Sequence, residues 1–462
     1  MGDLYFWRQL FILLAITFYG LGSGLMIAFP SVLTPALISV NNTDISSTAE
    51  EASWIAISNG IAGAFGFFVL PPILQISGRK VTHIIANLFL CIGWIIFPLA
   101  HNTAALFAAR IIQGFTMGGI YINSMIISEY SNPERRGYFI TIKNIFLSFG
   151  TLLCHLFSLF WNWRQIAIFG IMISIIAMVL TLFWPESPSY LAMKGRIKDC
   201  EKSYVWLYGG SNMKELDALV SSQTQKLRHP SKEKWYQFLF RSDFVMPFTI
   251  VSILTLLLDL CGKYYFVVFV IQIMIELIGD KSIAIYCSVG ADILIIAALI
   301  TSCYIICLVK RRSLLLWFGA SAVALMFMIS IVIVLKLPSV KWLTPTLILL
   351  LCFLVNVGII PVCYTVIGEV FPLEHKGSGC CTTGVIFTLL YALMLKITPM
   401  LLDRIGVEGV YAVYGFCIIF CLVGLYFVVP ETKDRSLQEI EKEFKHNVKK
   451  SDESICINVN IN

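Results

Sequence analysis

The chain has 462 residues, of which 58% are hydrophobic and only 13% charged, with a mean hydropathy of +0.82 and a formal charge of +6. A water-soluble globule of this composition would expose far too much apolar surface, which leaves a polytopic membrane protein. The modest positive charge reflects the topology described below and gives no reason to invoke nucleic acid.

A helix needs about 20 apolar residues to cross a hydrocarbon core. Such stretches fall near 10–36, 54–75, 81–100, 104–130, 138–161, 163–184, 246–275, 282–309, 313–336, 344–371, 378–402 and 407–430, which makes twelve. The first follows Met1 to Arg8 and is too long for the apolar part of a signal peptide, so no cleavable leader is expected. It contains Gly20-Leu21-Gly22-Ser23-Gly24, whose glycines let helices pack closely or bend, and it carries no acid there. Loop 37–53 holds Asp44, Glu50 and Glu51 without a cation, and is expected outside. Its sequon Asn41-Asn42-Thr43 leaves Asn41 either glycosylated or unused. Arg79 and Lys80, Arg135 and Arg136, Lys310 to Arg312, and His375 with Lys376 all follow even-numbered spans. Cations of short loops stay on the cytoplasmic side, so both termini are expected there.

Residues 185–245 carry ten Lys or Arg and seven Asp or Glu, as suits a solvated cytoplasmic bridge. It divides the chain into an amino-terminal six-helix bundle over 1–184 and a carboxy-terminal one over 246–430, followed by a tail over 431–462. Beyond about 440 the tail is polar and Asn-rich, and disorder is expected. Twelve of the fourteen Cys lie within spans, leaving only Cys200 and Cys456 outside, so no extracellular disulfide framework is available.

Three phrases at span ends occur twice. Ser128-Glu129 through Arg135-Arg136-Gly137 is echoed 240 residues later by Gly368-Glu369 through His375-Lys376-Gly377. Trp184-Pro185-Glu186-Ser187-Pro188 recurs at an offset of 245 as Val429-Pro430-Glu431-Thr432-Lys433, and Gly78-Arg79-Lys80 more loosely as Lys310-Arg311-Arg312. One half therefore repeats the other, as in transporters that rock two bundles about a central site. A carboxylate at a helix end facing a cation beyond a turn makes either an ordinary solvated pair or a latch that breaks when that side opens.

These phrases resemble the sugar-porter branch of the major facilitator superfamily, and within it the insect facilitated trehalose transporters. Further matching pieces are Arg110 with Gly114, Gly118 and Gly119 in span four, Trp163-Arg164 opening span six, Leu191, and Leu437 with Glu439. The resemblance implies an all-α membrane protein with twelve transmembrane helices in two pseudo-symmetric six-helix bundles, the major facilitator fold. It implies an intracellular charge network of Arg79, Glu129, Arg136, Glu186, Arg311, Arg312, Glu369, Lys376 and Glu431. Departures occur at Gln75 and Cys307, where the pattern has acids, and at Lys310, where it has Gly.

The resemblance thins in the central cavity. The seventh-span amide phrase reads Leu258-Asp259-Leu260-Cys261-Gly262-Lys263-Tyr264, the fifth-span Gln is Asn144, and the eighth-span Asn falls at about Ile295. Span ten reads Pro361-Val362-Cys363-Tyr364, and the span-eleven Asn-Trp pair falls at about Phe387 and Thr388. Candidate substrate-binding residues are Asn144, Asp259, Lys263, Tyr264, Tyr364, Thr388 and Tyr391, which would offer amide, hydroxyl and aromatic surface to a sugar. Asp259 and Lys263, four apart, are expected to pair on one helix face, with Asp292 of span eight sharing the lysine. That intramembrane network is structural, touches a polar solute, or couples to protons.

The absence of an acid in span one favours downhill uniport over proton symport, as the resemblance implies. Gly358, Pro361 and Gly368 are expected to kink span ten. No nucleotide-binding Gly-x-x-x-x-Gly-Lys-Ser/Thr loop exists, and the six His show no metal-ligand spacing and read as solvated residues at loop edges. The expected function is facilitative transport of trehalose or hexose by a monomer in the plasma membrane, with no enzyme activity, cofactor or metal. Transport of another small polar or charged solute, proton-coupled symport and a non-transporting sugar sensor remain as alternatives.

Overall fold

Backbone amides inside hydrocarbon have no water to bond, so they must satisfy one another within a helix or a closed barrel. Every regular element among the described residues is helical. The computed structural model describes residues 2–38, 45, 47–209, 213, 216–221, 242–263, 265–279, 281–335, 342–371, 376–435 and 439–441. Asn41, Tyr264 and the tail beyond 441 lie outside these, as does the side chain of Lys376.

Spans one to three are Gly2–Ile38, Ala49–Ile76 and Arg79–Leu99. Span four is interrupted after Thr103–Gly114 and resumes as Met117–Tyr130. At the break, Thr116 donates to the Gln113 carbonyl (2.6 Å) and Tyr19 donates to the Thr116 carbonyl (2.6 Å). Spans five and six are Arg136–Phe157 and Trp163–Leu182. Asn162 and Gln165 form a reciprocal capping box at the start of span six. Two short helices, Pro188–Met193 and Ile197–Tyr208, follow and dock on span one through a bond from Arg8 to the Trp206 carbonyl (2.9 Å).

Span seven is broken into Ser242–Leu260 and Tyr265–Ile278. Gly262 has φ +88°, Gly262 N–H bonds the Asp259 carbonyl (3.1 Å), and Lys263 N–H bonds the Leu258 carbonyl (3.3 Å). This is a Schellman cap, with glycine at the left-handed position where a Cβ is disfavoured. Spans eight and nine are Lys281–Leu308 and Arg311–Val334. Span ten bends as its composition predicts. Leu343–Leu354 passes through one π turn, Val355–Ile359, into Ile360–Val370, with Pro361 in the first turn of the last segment. Spans eleven and twelve run over Lys376–Val428 and are divided at Gly406, the one non-helical residue within that range (φ 69°). Eleven of these crossings are long and apolar enough to span a membrane, the fourth and tenth taken across their internal breaks, and the split seventh completes twelve.

With an even number of crossings the start of span one and the end of span twelve share one face, here the near face, opposite the far face. Within the first half, spans one and five touch backbone to backbone. A Cβ on Gly24 would sit 1.9 Å from the Leu147 carbonyl oxygen, and one on Gly150 would sit 2.1 Å from that of Leu21. Between halves, span two packs on span eleven, five on eight, four on ten, and one on the second segment of seven. Phe67 meets Phe387 edge-on at 6.4 Å across the first of these seams. Trp317, Phe420 and Phe427 project outward, each more than three-quarters exposed, as lipid-facing side chains do.

Candidate functional site

The repeated phrases build the same object twice on the near face. In the first half, Arg79 at the start of span three makes a forked pair with Glu129 at the end of span four (2.7 and 2.9 Å), both about 1% exposed. Arg79 also bonds the Leu74 carbonyl (3.2 Å) and lies over the Tyr190 ring, and Ser187 donates to Glu129 (2.7 Å). Glu186 binds backbone rather than a cation. Its carboxylate accepts the amides of Arg79 (2.8 Å), Lys80 (3.3 Å) and Ser187 (2.9 Å), so it sits on the positive end of span three. Burial pushes the Glu186 carboxyl above its ordinary range, against the amide bonds and the nearby Arg79 charge. Gly78 precedes span three with φ +99°, and a Cβ there would lie 2.3 Å from the Glu186 carboxylate.

In the second half Arg311 pairs with Glu369 and bonds the Thr432 hydroxyl (2.9 Å). Glu431 accepts the amides of Arg311 (3.2 Å), Arg312 (3.2 Å) and Lys433 (3.0 Å). Lys310, standing where the first half has Gly78, has φ −62° and requires no glycine. Cys307, which replaces an acid, bonds its own helix through the Cys303 carbonyl (3.3 Å).

Both ion pairs lie within a half. Across the seam, Ser128 donates to the Gly368 carbonyl (2.8 Å), Arg136 donates to the Arg435 carbonyl (3.2 Å), and Gly377 packs against Gln75. Ser128 and Gly368 are the first residues of the 240-residue echo, so equivalent positions of the two halves meet each other.

Between the halves, a narrow cavity is lined by Ser148 and Thr151 of span five, Cys261 to Lys263 of the span-seven break, Ile295 of span eight, and Cys352, Val355 and Asn356 of span ten. Asn144, Ser148, Thr151 and His155 recur at helical spacing and form one polar stripe along the buried face of span five. Asn144 is fully buried and neither end of its amide has a partner. The Asn356 amide donates to the Cys352 carbonyl (2.8 Å), while its oxygen is unpartnered. Asn356, which lines the cavity, thus retains hydrogen-bonding capacity toward a bound solute, while Asn144 lies one turn along the same polar stripe from Ser148 of the lining.

The expected Asp259–Lys263 pair is not made. The Schellman cap ends the helix between them, so four-residue spacing no longer brings the side chains together. Both Asp259 oxygens are buried without a hydrogen-bond partner, and Lys263 faces the cavity. Asp292 instead meets His155 of span five at 2.6 Å, with Lys263 within electrostatic range. Asp259→Asn is therefore expected to leave the thermal unfolding temperature of the purified protein unchanged or raised, because it exchanges a buried carboxyl group that has neither cation nor hydrogen-bond partner for a neutral amide of the same shape. A fall of several degrees would contradict this placement.

Thr388 donates to the Gly384 carbonyl (3.0 Å) and its methyl packs on Gly63, while the Tyr391 ring packs on Gly60. These two line the seam between spans two and eleven. Tyr364 lies beneath Lys143, whose Nζ is 4.3 Å from the ring centroid and bonds Ser124 Oγ (3.0 Å) and the Ile120 carbonyl (3.4 Å). Lys143 is not among the candidates named from the sequence, although a lone lysine inside an apolar span is itself the signal. His83 and His155, read from the sequence as solvated, are buried, His83 against Thr181 (2.9 Å).

The sequence profile of the "Sugar (and other) transporter" family matches residues 11–444. The chain is similar to the facilitated trehalose transporter Tret1 of Polypedilum vanderplanki, 26% identical across 97% of this chain and 90% of that protein. It is 25% identical to that of Drosophila virilis over 97% of its own length, and spans about half the length of that relative. Its fold is similar to the proton:xylose symporter XylE bound to 6-bromo-6-deoxy-D-glucose, with a TM-score of 0.85 at 17% identity over 96% of this chain and all of that one. With twelve spans, two echoed halves and a cavity between them, the chain belongs to the sugar (and other) transporter family and is a multi-pass membrane transporter of the major facilitator fold, not an enzyme.

Proposed function

We propose that the protein carries a neutral sugar, trehalose or a hexose, down its gradient across the plasma membrane by alternating access. The near face is assigned to the cytoplasm, because the cations that follow even-numbered spans gather there. The observation that carries this reading is the duplicated near-face assembly, in which Arg79, Glu129 and Glu186 are mirrored by Arg311, Glu369 and Glu431. Each half is thereby tied within itself by buried ion pairs, whereas the near-face bonds described across the seam, from Ser128 and Arg136, end on backbone carbonyls. Unpartnered amides at Asn144 and Asn356 support a hydroxyl-bearing solute.

Uptake of labelled trehalose and glucose in oocytes tests it. Flux that survives collapse of the proton gradient is expected; flux lost with the gradient supports symport, and binding without flux supports a sensor. Asn144→Ala and Asn356→Ala are each expected to reduce uptake about three- to tenfold without lowering the unfolding temperature, the effect of losing one neutral hydrogen bond.

One observation favours a second reading, a sugar that carries an anionic group. Arg110, Lys143 and Lys263 are buried between the near-face pairs and the far ends of the spans, against Asp259 and Asp292. Lys143 and Lys263 lie within electrostatic range of each other, and buried cations of like sign favour a counterion. Labelled glucuronate offered beside glucose separates the readings.

A further inference from the structure

On the far side of the cavity, three spans converge on one imidazole. His155, in the last turn of span five, places Nδ1 2.6 Å from the Asp292 carboxylate of span eight, and Nε2 3.0 Å from Ser31 Oγ of span one. His155 and Asp292 are each under 5% exposed and belong to opposite halves. Thr151, which lines the cavity, lies 3.5 Å from the same carboxylate, so the pair forms the cavity's roof.

The hydrogens of this group have two satisfactory arrangements. The Ser31 hydroxyl lies 2.7 Å from the Ala28 carbonyl and 3.0 Å from Nε2, so it can donate to the carbonyl and accept from Nε2, or turn and donate to Nε2. Neutral imidazole meets every contact with its one hydrogen on Nδ1 toward Asp292 and Nε2 accepting from Ser31. Imidazolium meets them with hydrogens on both nitrogens, and its bond to the Asp292 carboxylate then gains the attraction of opposite charges in a buried setting.

Asp292 also has an alternative. Lys263, on the Schellman turn of its own half, is within electrostatic range and makes no salt bridge among the described residues. The other ionisable groups facing the pair are the Cys154 and Cys352 thiols, with Arg110 behind Cys154.

We propose that Ser31, His155 and Asp292 form a proton-sensitive clasp across the far face, held more tightly when His155 carries a second ring proton taken from the far-side water. With that proton bound, Asp292 faces an imidazolium of the opposite half; with it gone, the bond across the halves weakens, Lys263 competes for Asp292 and the open arrangement gains. The clasp rests on the reading of two halves that rock about the cavity, and needs no particular solute. Because the proton enters and leaves on the same side, far-side pH sets the rate of exchange without driving net flux.

The test reads conformation rather than transport. Spin labels on unnatural amino acids replacing Phe160 and Tyr286, exposed residues near the far ends of spans five and eight, report the separation of the halves in the full-length, solute-free protein. Between pH 8.5 and 5.5 the short-distance population is expected to grow, by no more than about tenfold per pH unit, the limit for one linked proton. His155→Gln and Asp292→Asn are each expected to abolish the pH dependence. A parent whose distance distribution is flat across this range overturns the clasp, whether or not the variants fold. So does a His155→Gln protein that still responds. A protein that responds to pH yet moves neither trehalose nor glucose keeps the clasp and discards the transport reading.

Discussion

Replacing Gly368 with valine is expected to leave a folded protein that cannot close its near face. A Cβ on Gly368 would lie 2.8 Å from the Ser124 carbonyl oxygen and 3.1 Å from its carbon, both backbone atoms of the opposite half. Backbone cannot turn aside as a side chain can, so the two halves must separate. Overpacking of this kind costs about 1–3 kcal/mol, which shifts the closed-to-open ratio about 5- to 150-fold. The cost falls only on the closed arrangement, since a parted seam has room for the added methyls. Spin labels across the near face should report a longer separation, and solute exchange should fall with the closed population. Glycines of the spans one and five crossing provide the contrast. Gly150→Val places its Cβ against Leu21 backbone of the same half, which no rocking relieves, so that variant is expected to lose folded protein altogether. Equal yields and equal transport for the two variants would refute the distinction.

The second large effect is expected at Arg79. Its guanidinium joins the end of span two at Leu74, the end of span four at Glu129 and the Tyr190 ring after span six. Arg79→Ala takes away the forked cation from the buried Glu129 carboxylate, and the neutral Ser187 hydroxyl beside it cannot replace that charge. Breaking a buried pair by removing one partner costs about 3–5 kcal/mol, and replacing both partners by apolar groups costs far less. The single variant should show a sharp loss of folded protein in detergent, measured by size-exclusion yield and unfolding temperature. Arg79→Met with Glu129→Leu should recover much of it. If the double variant is no better than the single one, the uncompensated carboxylate is not the cause.

The architecture is legible in the chain because membrane helices announce themselves by length and apolarity, and because duplication leaves echoes that no single span could supply. The near-face assemblies are legible for the same reason: Arg79, Glu129, Arg311 and Glu369 are charges placed in register twice. What the sequence hides is how Glu186 and Glu431 act, since contact with backbone amides leaves no complementary residue type to search for. The cavity is harder. Asp259 and Lys263 sit at pairing distance on any helical wheel, and only Gly262, taken as a helix-ending residue, parts them. His155 reads as solvated because histidines near a span end are usually wet, and its partner lies 137 residues away in the other half. The repeat at 144, 148, 151 and 155 is visible throughout, as polar positions on one stripe of an otherwise apolar helix.

The way Glu431 holds span nine has a practical consequence. It grips main-chain amides, and the residue before them has an ordinary extended backbone with its side chain in solvent. Position 310 can therefore carry a fluorophore or an affinity handle on the near face at almost no cost to folding, whereas at its counterpart, position 78, any side chain would meet the Glu186 carboxylate on a left-handed backbone.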